Sequence, residues 1–356
     1  MNKPRATAYL LIVLCLSLFG NQVFVRAQQP SSIAASDPAR GIQLYREGKI
    51  EEAIKALRRA VKQRKDDADA WQYLGLTLNF NGKAKEARKA FETAVKLRPD
   101  AVVAHTGLAY SLLLLNKSRE AEREAERAIQ IDPQNAEAQY IIGVVRLREG
   151  DNAKALQQAE TALKIKANFA QAYLLKSQAL IGLSAERLPT QEEPMGVKGE
   201  DEQLREQNRA ARRTQYQQAV ESLEKYLQLI PNAANANQLR EQLDVLRIYA
   251  GFDAATNISP AIYPSSEVTT RARVLNKTEA TYTEAARQNR VSGIVRLRAV
   301  LSFDGTVKYI LVVKPLSHGL TESAVAAARR IKFEPATKDG RPVSQFVTLE
   351  YTFSVF

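Results

Sequence analysis

The chain has 356 residues, a length that fits two domains joined by a linker better than a single domain. Hydrophobic residues make up 45% of it, enough for packed cores, which excludes a chain that is disordered throughout. The net charge of +12 is compatible with nucleic acid or an anionic membrane as a partner. However, acidic and basic residues are interleaved along helical segments such as 49–52 and 119–123, which is typical of solvated helix faces. We therefore predict no nucleic-acid partner.

Residues 1–27 have the three zones of a secretory signal peptide. Lys3 and Arg5 supply positive charge, residues 8–19 are apolar, and residues 25–27 end in a small residue that suits cleavage. The apolar zone is shorter than the ~20 residues that a membrane-spanning helix needs. We therefore predict export with cleavage at this point, and an uncleaved single membrane anchor is the alternative.

Removal of this segment leaves a short N-terminal tail, residues 28–33, ahead of the first domain. It also removes Cys15, the only cysteine in the sequence. The mature chain then has no thiol and no disulfide, so an oxidising compartment poses no chemical problem for it.

From residue 34 onward the sequence repeats every 34 residues, four times without an insertion. Small residues recur at this spacing in two registers: Ala53, Ala87, Ala121 and Ala155, and Ala60, Ala94, Ala128 and Ala162. The second repeat has the fullest pattern, Trp71, Leu74, Gly75, Leu78, Ala87, Phe91, Ala94 and Pro99, which closely resembles the tetratricopeptide repeat (TPR). The resemblance implies helix pairs that stack, because no pair can bury its apolar face alone. We predict an α-solenoid, a TPR superhelix, over residues 34–250.

A fifth repeat is split by an insertion at residues 184–213. Its first part, residues 188–202, is rich in Pro, Glu, Gln and Gly and is predicted to be a mobile loop. Residues 233–250 are predicted to form the capping helix that a solenoid needs over its last apolar face. Residues 251–270 contain two prolines and many small polar residues, and we predict an interdomain linker there.

The C-terminal region alternates between apolar and polar residues in three stretches. Residues 293–303 and 307–313 are predicted strands joined at Asp304-Gly305, a dipeptide suited to the two positive φ angles of a tight hairpin. Thr321 is a candidate cap for an alanine-rich helix, and residues 346–353 form a third strand. A hairpin followed by a helical crossover predicts the strand order 2-1-3, with the first strand in the centre.

Several motifs in this region occur in an order that resembles the TonB C-terminal domain. They are Tyr282-x-x-Ala285-Ala286-Arg287, Gly293-x-Val295, Asp304-Gly305-x-Val307, Leu320 with the helix that follows it, Lys332-Phe333-Glu334-Pro335-Ala336, Asp339-Gly340-x-Pro342 and Tyr351-x-Phe353. The resemblance covers roughly the last quarter of the chain. It implies a small α+β domain, residues 271–356, with a three-stranded antiparallel sheet and two helices. It also implies a periplasmic location and the binding of an extended transporter segment at the sheet edge.

Residue patterns that support catalysis are absent from the sequence. Of the two histidines, His105 occupies the place of Trp71 in the next repeat, which predicts a packed or capping side chain, and His318 stands alone in a turn. No His, Cys, Asp or Glu cluster has metal spacing, and no glycine-rich loop or nucleophile with a base is recognisable. We predict that the chain is not an enzyme and binds no cofactor, metal or small-molecule substrate.

Two surfaces are candidates for protein binding, and the first is the concave side of the solenoid. Register with the TPR family places these residues on it: Tyr45, Arg46, Gln72, Asn79, Phe80, Tyr110, Leu113, Leu114, Tyr140, Leu147 and Arg148. Aromatic and apolar groups flanked by arginines suit an extended peptide or a docked helix. Alternatively, the groove holds the chain's own linker or C-terminal domain.

The second candidate surface is the edge of the C-terminal sheet. In the order 2-1-3 the second and third strands are both edges, with unpaired backbone groups that another segment can use. We predict that the third strand receives the partner, through residues Phe346, Val347, Thr348, Leu349, Glu350, Tyr351, Thr352 and Phe353. Val347, Leu349, Tyr351 and Phe353 should face inward and the residues between them outward. The alternative is an ordinary module whose edge is blocked, helped by basic residues at Arg296, Arg298 and Lys308.

These features predict a non-catalytic periplasmic interaction protein that engages an outer-membrane transporter or another envelope protein by strand addition. The TPR array would act as adaptor or spacer in TonB-dependent transport. The chain departs from TonB energy transducers, because a predicted signal peptide and a solenoid replace the membrane helix and the Pro-rich spacer. The alternative is a periplasmic TPR scaffold for envelope assembly without an energy-transducing role. No oligomeric state is predicted.

Overall fold

The computed structural model describes residues 37–186, 200–251, 262–265 and 267–354. The predicted signal peptide and tail, and the predicted mobile loop up to residue 199, lie outside this part of the chain. Contacts between Cα atoms divide the chain into two compact units, Met1–Lys176 and Ser177–Phe356. No helix in the described ranges is both long enough and apolar enough to cross a membrane.

The first unit is built from helices that alternate between the A and B positions of successive repeats. They are α1 (Asp37–Arg46), α2 (Ile50–Gln63), α3 (Ala68–Phe80), α4 (Ala84–Leu97), α5 (Val102–Leu114), α6 (Ser118–Ile131), α7 (Ala136–Glu149), α8 (Asn152–Ile165) and α9 (Ala170–Glu186), which continues into the second unit. The alanines of both registers are buried at the contacts between these helices. The predicted TPR solenoid is therefore confirmed.

Phe91 shows how the small residues make this packing possible. Its ring is fully buried between helix α3 and helix α5 of the next repeat. A Cβ atom added to either Gly75 or Gly107 would overlap this ring. The two glycines therefore allow one aromatic side chain to join consecutive repeats.

A second repeated feature is a hydrogen bond that anchors the start of three A helices, α3, α5 and α9. Trp71 donates from Nε1 to the carbonyl of Lys65 (2.9 Å), and Tyr173 donates from its hydroxyl to the carbonyl of Ala167 (3.1 Å). His105, at the same register, is buried, with Nε2 2.9 Å from the carbonyl of Pro99 and Nδ1 2.8 Å from a Glu124 oxygen. His105 is therefore a packed side chain that takes the place of the tryptophan.

The second unit begins inside α9 and continues through two further helices. Helix α10 (Glu200–Leu229) contains the charged second part of the predicted insertion, and α11 (Ala236–Ala250) follows it. Ser177 on α9 donates to the carbonyl of Ala219 on α10 (2.9 Å). These helices belong to the same compact unit as the C-terminal domain, so the contact boundary does not follow the predicted linker.

The C-terminal domain has one main sheet, a small ribbon and two short helices. Its elements are β1 (Ile262–Tyr263), β2 (Arg273–Asn276), α12 (Glu284–Gln288), β3 (Gly293–Leu301), β4 (Val307–Lys314), α13 (Leu320–Ala328), β5 (Lys332–Glu334), β6 (Ala336–Lys338) and β7 (Arg341–Phe353). In the described residues the main sheet has the order β1-β7-β3-β4, β6 also pairs with β7, and β2 pairs with β5. The predicted order of the three long strands is correct, and the short strands were not predicted.

Three local predictions need correction. Asp304 does not have a positive φ, and Gly305 alone does (80°), because the hairpin closes through a wider turn from Ser302 to Thr306. Helix α13 begins at Leu320 without a Thr321 cap, since the Thr321 hydroxyl bonds the main chain of Leu316 instead.

The third correction concerns the predicted linker. Ile262–Tyr263 runs parallel to Ser344–Gln345, and Thr270 forms a bridge with Thr337. The second half of that segment therefore belongs to the domain. Main-chain pairing with β7 and β6 holds it there, which composition alone does not reveal.

Candidate functional site

Strand β7 is held in place by a long and regular pairing with β3. Nine residue pairs, from Gly293 with Phe353 to Leu301 with Gln345, follow one another without a register shift. The side chains of β7 alternate as predicted: Leu349, Tyr351 and Phe353 are buried, and Val347 packs against the same core. Thr348, Glu350 and Thr352 are exposed.

The other side of β7 has no paired strand over most of its length in the part of the chain that the structure describes. Strand β6 pairs with Arg341–Val343, and β1 pairs with Ser344–Gln345. Among the described residues, only β3 pairs with β7 between Phe346 and Phe353. We call this segment, residues 346–353, the receiving edge. The main chain of the eight residues predicted to bind a partner is thus available on one side.

Lys277 is the described residue whose side chain binds the main chain of the receiving edge. The Lys277 ammonium donates a hydrogen bond to the carbonyl oxygen of Glu350 (2.6 Å) and lies 4.9 Å from the centre of the Tyr351 ring. Since this carbonyl accepts from Lys277, it points away from β3. Paired residues of an antiparallel ladder alternate in direction, so the backbone groups of Thr348 and Thr352 also point outward.

Two side chains of the receiving edge have electrostatic partners or a changed pKa. Arg296 donates from Nε to Glu350 Oε1 (2.6 Å) across the pair that these two residues form between β3 and β7. Burial raises the pKa of the Tyr351 hydroxyl above its usual value, and Arg330 opposes this rise only in part. Tyr351 is therefore neutral at physiological pH and acts as part of the core.

Phe346 differs from the other residues of the receiving edge, because its side chain is used within the chain. Its ring lies 5.2 Å from the ring of Tyr249 at the end of α11. The Arg298 guanidinium lies over both rings, 5.1 Å from Tyr249 and 5.5 Å from Phe346. The predicted role of Phe346 in partner contact is therefore limited to its main chain.

Tyr249 also closes the opposite edge of the sheet. Its hydroxyl donates to the carbonyl of Tyr309 on β4 (3.1 Å), and its ring packs 5.6 Å from that of Tyr216 on α10. Burial raises the pKa of Tyr249, although the Arg298 charge partly offsets this effect. The hydroxyl thus stays protonated and keeps its donor role.

Strand β4 is irregular where this contact occurs. Its pairing with β3 shifts twice, once between Arg296 and Leu297 and once between Arg298 and Val300. Tyr309 lies in the second irregularity with a φ of 50°, which is unusual for a bulky side chain. Such a kinked strand is a poor template for another strand. Strand β4 is an outer strand as predicted, whereas β7 is flanked by β1 at Ser344–Gln345. Among the described residues β7 is therefore an edge only from residue 346 to residue 353, and the prediction of two outer edges is only partly correct.

The structure does not bring the predicted groove residues of the solenoid together as an open surface. Asn79, Tyr110, Leu113 and Tyr140 are buried, with at most 2% of each exposed. Asn79 connects the A helices of two repeats, α3 and α5. Its side chain donates to the carbonyl of Gly107 (3.2 Å) and accepts from the hydroxyl of Ser111 (3.0 Å). The prediction that these four side chains contact a partner needs correction, since they form the interior between repeats.

The remaining predicted groove residues are more accessible. Gln72 and Phe80 are partly exposed, and Arg46 and Arg148 are exposed. The Arg148 guanidinium donates to the carbonyl of Leu113 (2.9 Å), so it connects helix α7 to helix α5. Although the residue as a whole is exposed, its guanidinium end is partly buried at this bond, and that burial lowers the Arg148 pKa. The hydrogen bond from Arg148 to Leu113 therefore stabilises the contact between these two helices.

Three residues with contacts at the two edges were not predicted from the sequence: Lys277, Tyr249 and Gln345, whose side chain accepts from the Ala272 N–H (2.7 Å). Lys277 and its acceptor are 73 residues apart, and no local pattern connects them. Tyr249 was included only as part of a capping helix, although its place directly before the predicted linker hinted at a junction. Within the described residues no group of His, Cys, Asp and Glu side chains could hold a metal ion.

Comparisons with known proteins agree with this division of the chain. Residues 278–355 match the family model of the Gram-negative bacterial TonB protein C-terminal, and residues 43–181 match that of the cytochrome c-type biogenesis protein H TPR domain. A comparison with curated protein sequences finds no significant match.

Three solved TPR structures are similar to part of this chain. MamA is 22% identical over 53% of this chain and 96% of its own, with a TM-score of 0.39. A thermophilic TPR protein of Thermus thermophilus is 16% identical over 60% of this chain and 97% of its own, with a TM-score of 0.43. YrrB, described as a TPR protein with an unusual peptide-binding site, is 18% identical over 58% of this chain and 90% of its own, with a TM-score of 0.38. By the two family models, this chain has a tetratricopeptide region at residues 43–181 and, after it, a region at residues 278–355 that matches the TonB protein C-terminal.

Proposed function

We propose that this chain is a non-catalytic protein-interaction protein of a Gram-negative cell envelope. Its C-terminal domain would bind an extended segment of an outer-membrane transporter, or of another envelope protein, by adding that segment to β7. The observation that carries the proposal is the receiving edge, residues 346–353, which is regular, paired on one side and unpaired on the other among the described residues. Both matched families are non-catalytic interaction modules.

The solenoid would serve as adaptor or spacer in such a complex. Its repeats pack through buried aromatic, alanine and glycine residues, which makes the array stiff. The predicted groove residues that a peptide or helix can still reach are those that are exposed or partly exposed: Tyr45, Arg46, Gln72, Phe80, Leu114, Leu147 and Arg148. In this proposal the chain takes part in TonB-dependent transport as an adaptor, without itself coupling to an inner-membrane motor.

The proposed location is the periplasm. It rests on the three zones of residues 1–27 and on the cleavage site at residues 25–27. The mature chain is expected to begin near Gln28, and mass spectrometry of the purified protein tests this directly. A mass that still includes residues 1–27, with retention in the inner membrane, would instead indicate an anchored transducer.

A scaffold for envelope assembly is the second candidate function. The observation that favours it is the junction at Tyr249, which ties the sheet to helix α11 within one compact unit. A scaffold benefits from a fixed C-terminal domain, whereas an energy transducer has to transmit movement. Loss of transporter-dependent uptake in a deletion strain would favour the transport role over the scaffold.

The receiving edge is tested by proline substitution at an outward amide. Thr352→Pro removes one outward N–H without removing a bond to β3, whereas Thr352→Val keeps the amide and serves as control. When they are immobilised, the wild-type protein and the Thr352→Val variant should both capture proteins from a detergent-solubilised outer-membrane fraction. Thr352→Pro should lose this capture at an unchanged melting temperature. Equal capture by all three proteins would refute strand addition at β7.

A further inference from the structure

The segment before α12 runs alongside the receiving edge without joining its ladder. The main-chain N–H of Ala272 donates to the Gln345 side chain (2.7 Å), and Lys277 donates to the carbonyl of Glu350 (2.6 Å). Both contacts join residues 73 positions apart, so the segment follows β7 in the same direction. We call residues 272–277 the strap.

The strap is attached to β7 by side chains and to the rest of the domain by a short ribbon. Within the described residues its main chain pairs only with β5, through Arg273 with Glu334 and Val274 with Phe333. Arg273 and Glu334 add two hydrogen bonds of 2.7 and 3.0 Å between exposed side chains. Neither contact with β7 is a main-chain to main-chain hydrogen bond, and the Glu350 carbonyl is the one backbone group of β7 that these two contacts use.

Little apolar surface holds the strap down. Val274 is 42% exposed and Leu275 is 55% exposed, although both are large hydrophobic residues. Segments with few buried apolar contacts open at a small fraction of the global unfolding free energy. The strap is therefore the part of this region that can move while β3 and β7 stay paired.

Lys277 occupies a group that an added strand needs. A strand beside residues 346–353 forms its ladder with the outward backbone groups of every second residue, namely Phe346, Thr348, Glu350 and Thr352. While the ammonium binds the Glu350 carbonyl, one of these four acceptors is taken. The ring of Tyr351 below the ammonium gives it a second favourable contact, at 4.9 Å.

We propose that Lys277 is a displaceable plug of the receiving edge, carried by the strap, and that a partner strand has to remove it in order to bind. This inference rests on the proposed function of the edge. The plug keeps the edge from pairing with unsuitable strands, as lysines on exposed edges do elsewhere. A partner that forms a complete ladder gains enough main-chain bonds to displace one lysine.

Lys277→Met tests the plug, because methionine keeps the length of the side chain and removes the ammonium. Lys314→Met is the matched control: it removes the same charge from an exposed lysine on β4, the other edge. In the free protein, the carbonyl ¹³C resonance of Glu350 should move upfield in Lys277→Met and stay in place in Lys314→Met. An unchanged resonance in both variants would overturn the plug.

A binding experiment complements the resonance measurement. Detergent-solubilised outer-membrane proteins are immobilised and then titrated with the full-length chain. Lys277→Met should reach half-saturation at a concentration roughly five- to tenfold lower than wild type, as expected if the unplugged state makes up about 10–20% of the free protein. Lys314→Met should bind like wild type.

The same titration separates failure of the plug from failure of the edge. If Lys277→Met and wild type reach half-saturation at the same concentration, and adding Thr352→Pro weakens binding by both proteins, the plug is overturned and strand addition stands. Binding that is insensitive to Thr352→Pro in either background would overturn strand addition, and the plug with it.

Discussion

The two edges of the C-terminal sheet are both protected, but by different means. At β4 the ladder is irregular, Tyr309 has a positive φ, and its carbonyl is bound by Tyr249 from helix α11. At β7 the ladder with β3 is regular over nine pairs, and a single lysine covers one outward carbonyl of the receiving edge. One edge is closed by the shape of the backbone and by a buried contact, the other by an exposed side chain.

This difference indicates which edge can serve a partner. Opening β4 would require the loss of a buried tyrosine contact and a change of backbone conformation. Opening β7 requires only that Lys277 and its weakly packed strap move. Exposed edges invite unwanted pairing, so a protein that uses one edge benefits from permanent closure of the other.

The largest expected effect comes from placing proline at a position of β7 whose N–H bonds β3. Leu349→Pro removes a buried side chain and an N–H that bonds β3, and it should destabilise the domain by about 5 kcal/mol. Thr348→Pro removes an outward N–H and should cost about 1 kcal/mol or less. Urea unfolding followed by circular dichroism measures both. Similar losses at the two positions would show that the outward direction is wrongly assigned.

Removal of Tyr249 should open the β4 edge. Tyr249→Ala empties a buried site between α10, α11 and the sheet and should destabilise the second unit by about 3–4 kcal/mol. Tyr249→Phe keeps the ring and removes only the hydrogen bond to Tyr309, for a loss of about 1 kcal/mol. Thermal unfolding measures the stability of the two variants relative to wild type. If Tyr249→Ala is as stable as Tyr249→Phe, the junction between helix and sheet is not a stabilising contact.

The kink of β4 predicts an unusual preference at position 309. Tyr309→Val should be about 1–2 kcal/mol less stable than Tyr309→Gly, because a β-branched residue tolerates a positive φ poorly and glycine tolerates it well. In a regular strand the order would be the reverse, since valine favours strands. Melting temperatures of the two variants therefore distinguish a kinked edge from a regular one.

The smallest effect is expected at Glu350. Glu350→Gln weakens the ion pair with Arg296, whose side chain is 25% exposed while that of Glu350 is 44% exposed, and should cost about 0.2–1 kcal/mol. Capture of outer-membrane proteins should change little, because the edge offers its main chain. A loss of capture as large as that of Thr352→Pro would mean that the carboxylate itself is recognised.

Much of the fold follows from local patterns in the sequence. The 34-residue period predicts the helix pairs, because small residues recur at the positions where neighbouring helices pack closely. Ala87 and Ala94 are two of these positions, and both are buried. The alternation from Val347 to Phe353 gives the inward face of β7 correctly, because a period of two fixes which side chains share a face. Strand order followed from the hairpin and the crossover.

The parts that escaped prediction depend on contacts between distant residues. Tyr249 and Tyr309 are 60 positions apart, and Lys277 and Glu350 are 73 apart. Burial of Asn79 depends on Gly107 and Ser111 of the next repeat, so a register taken from one helix could not show that the position is internal. Strand β1 has only two residues, too few for any periodic signal.

Residue-resolved amide hydrogen exchange of the free protein tests the central claim, that β7 offers one regular and unpaired side. We predict slow exchange at Val347, Leu349 and Tyr351, whose N–H groups bond β3, and fast exchange at Thr348, Glu350 and Thr352. The same alternation should persist in Lys277→Met, because the plug covers a carbonyl. Uniformly slow exchange along residues 347–352 would mean that the edge is already paired, and it would contradict the account.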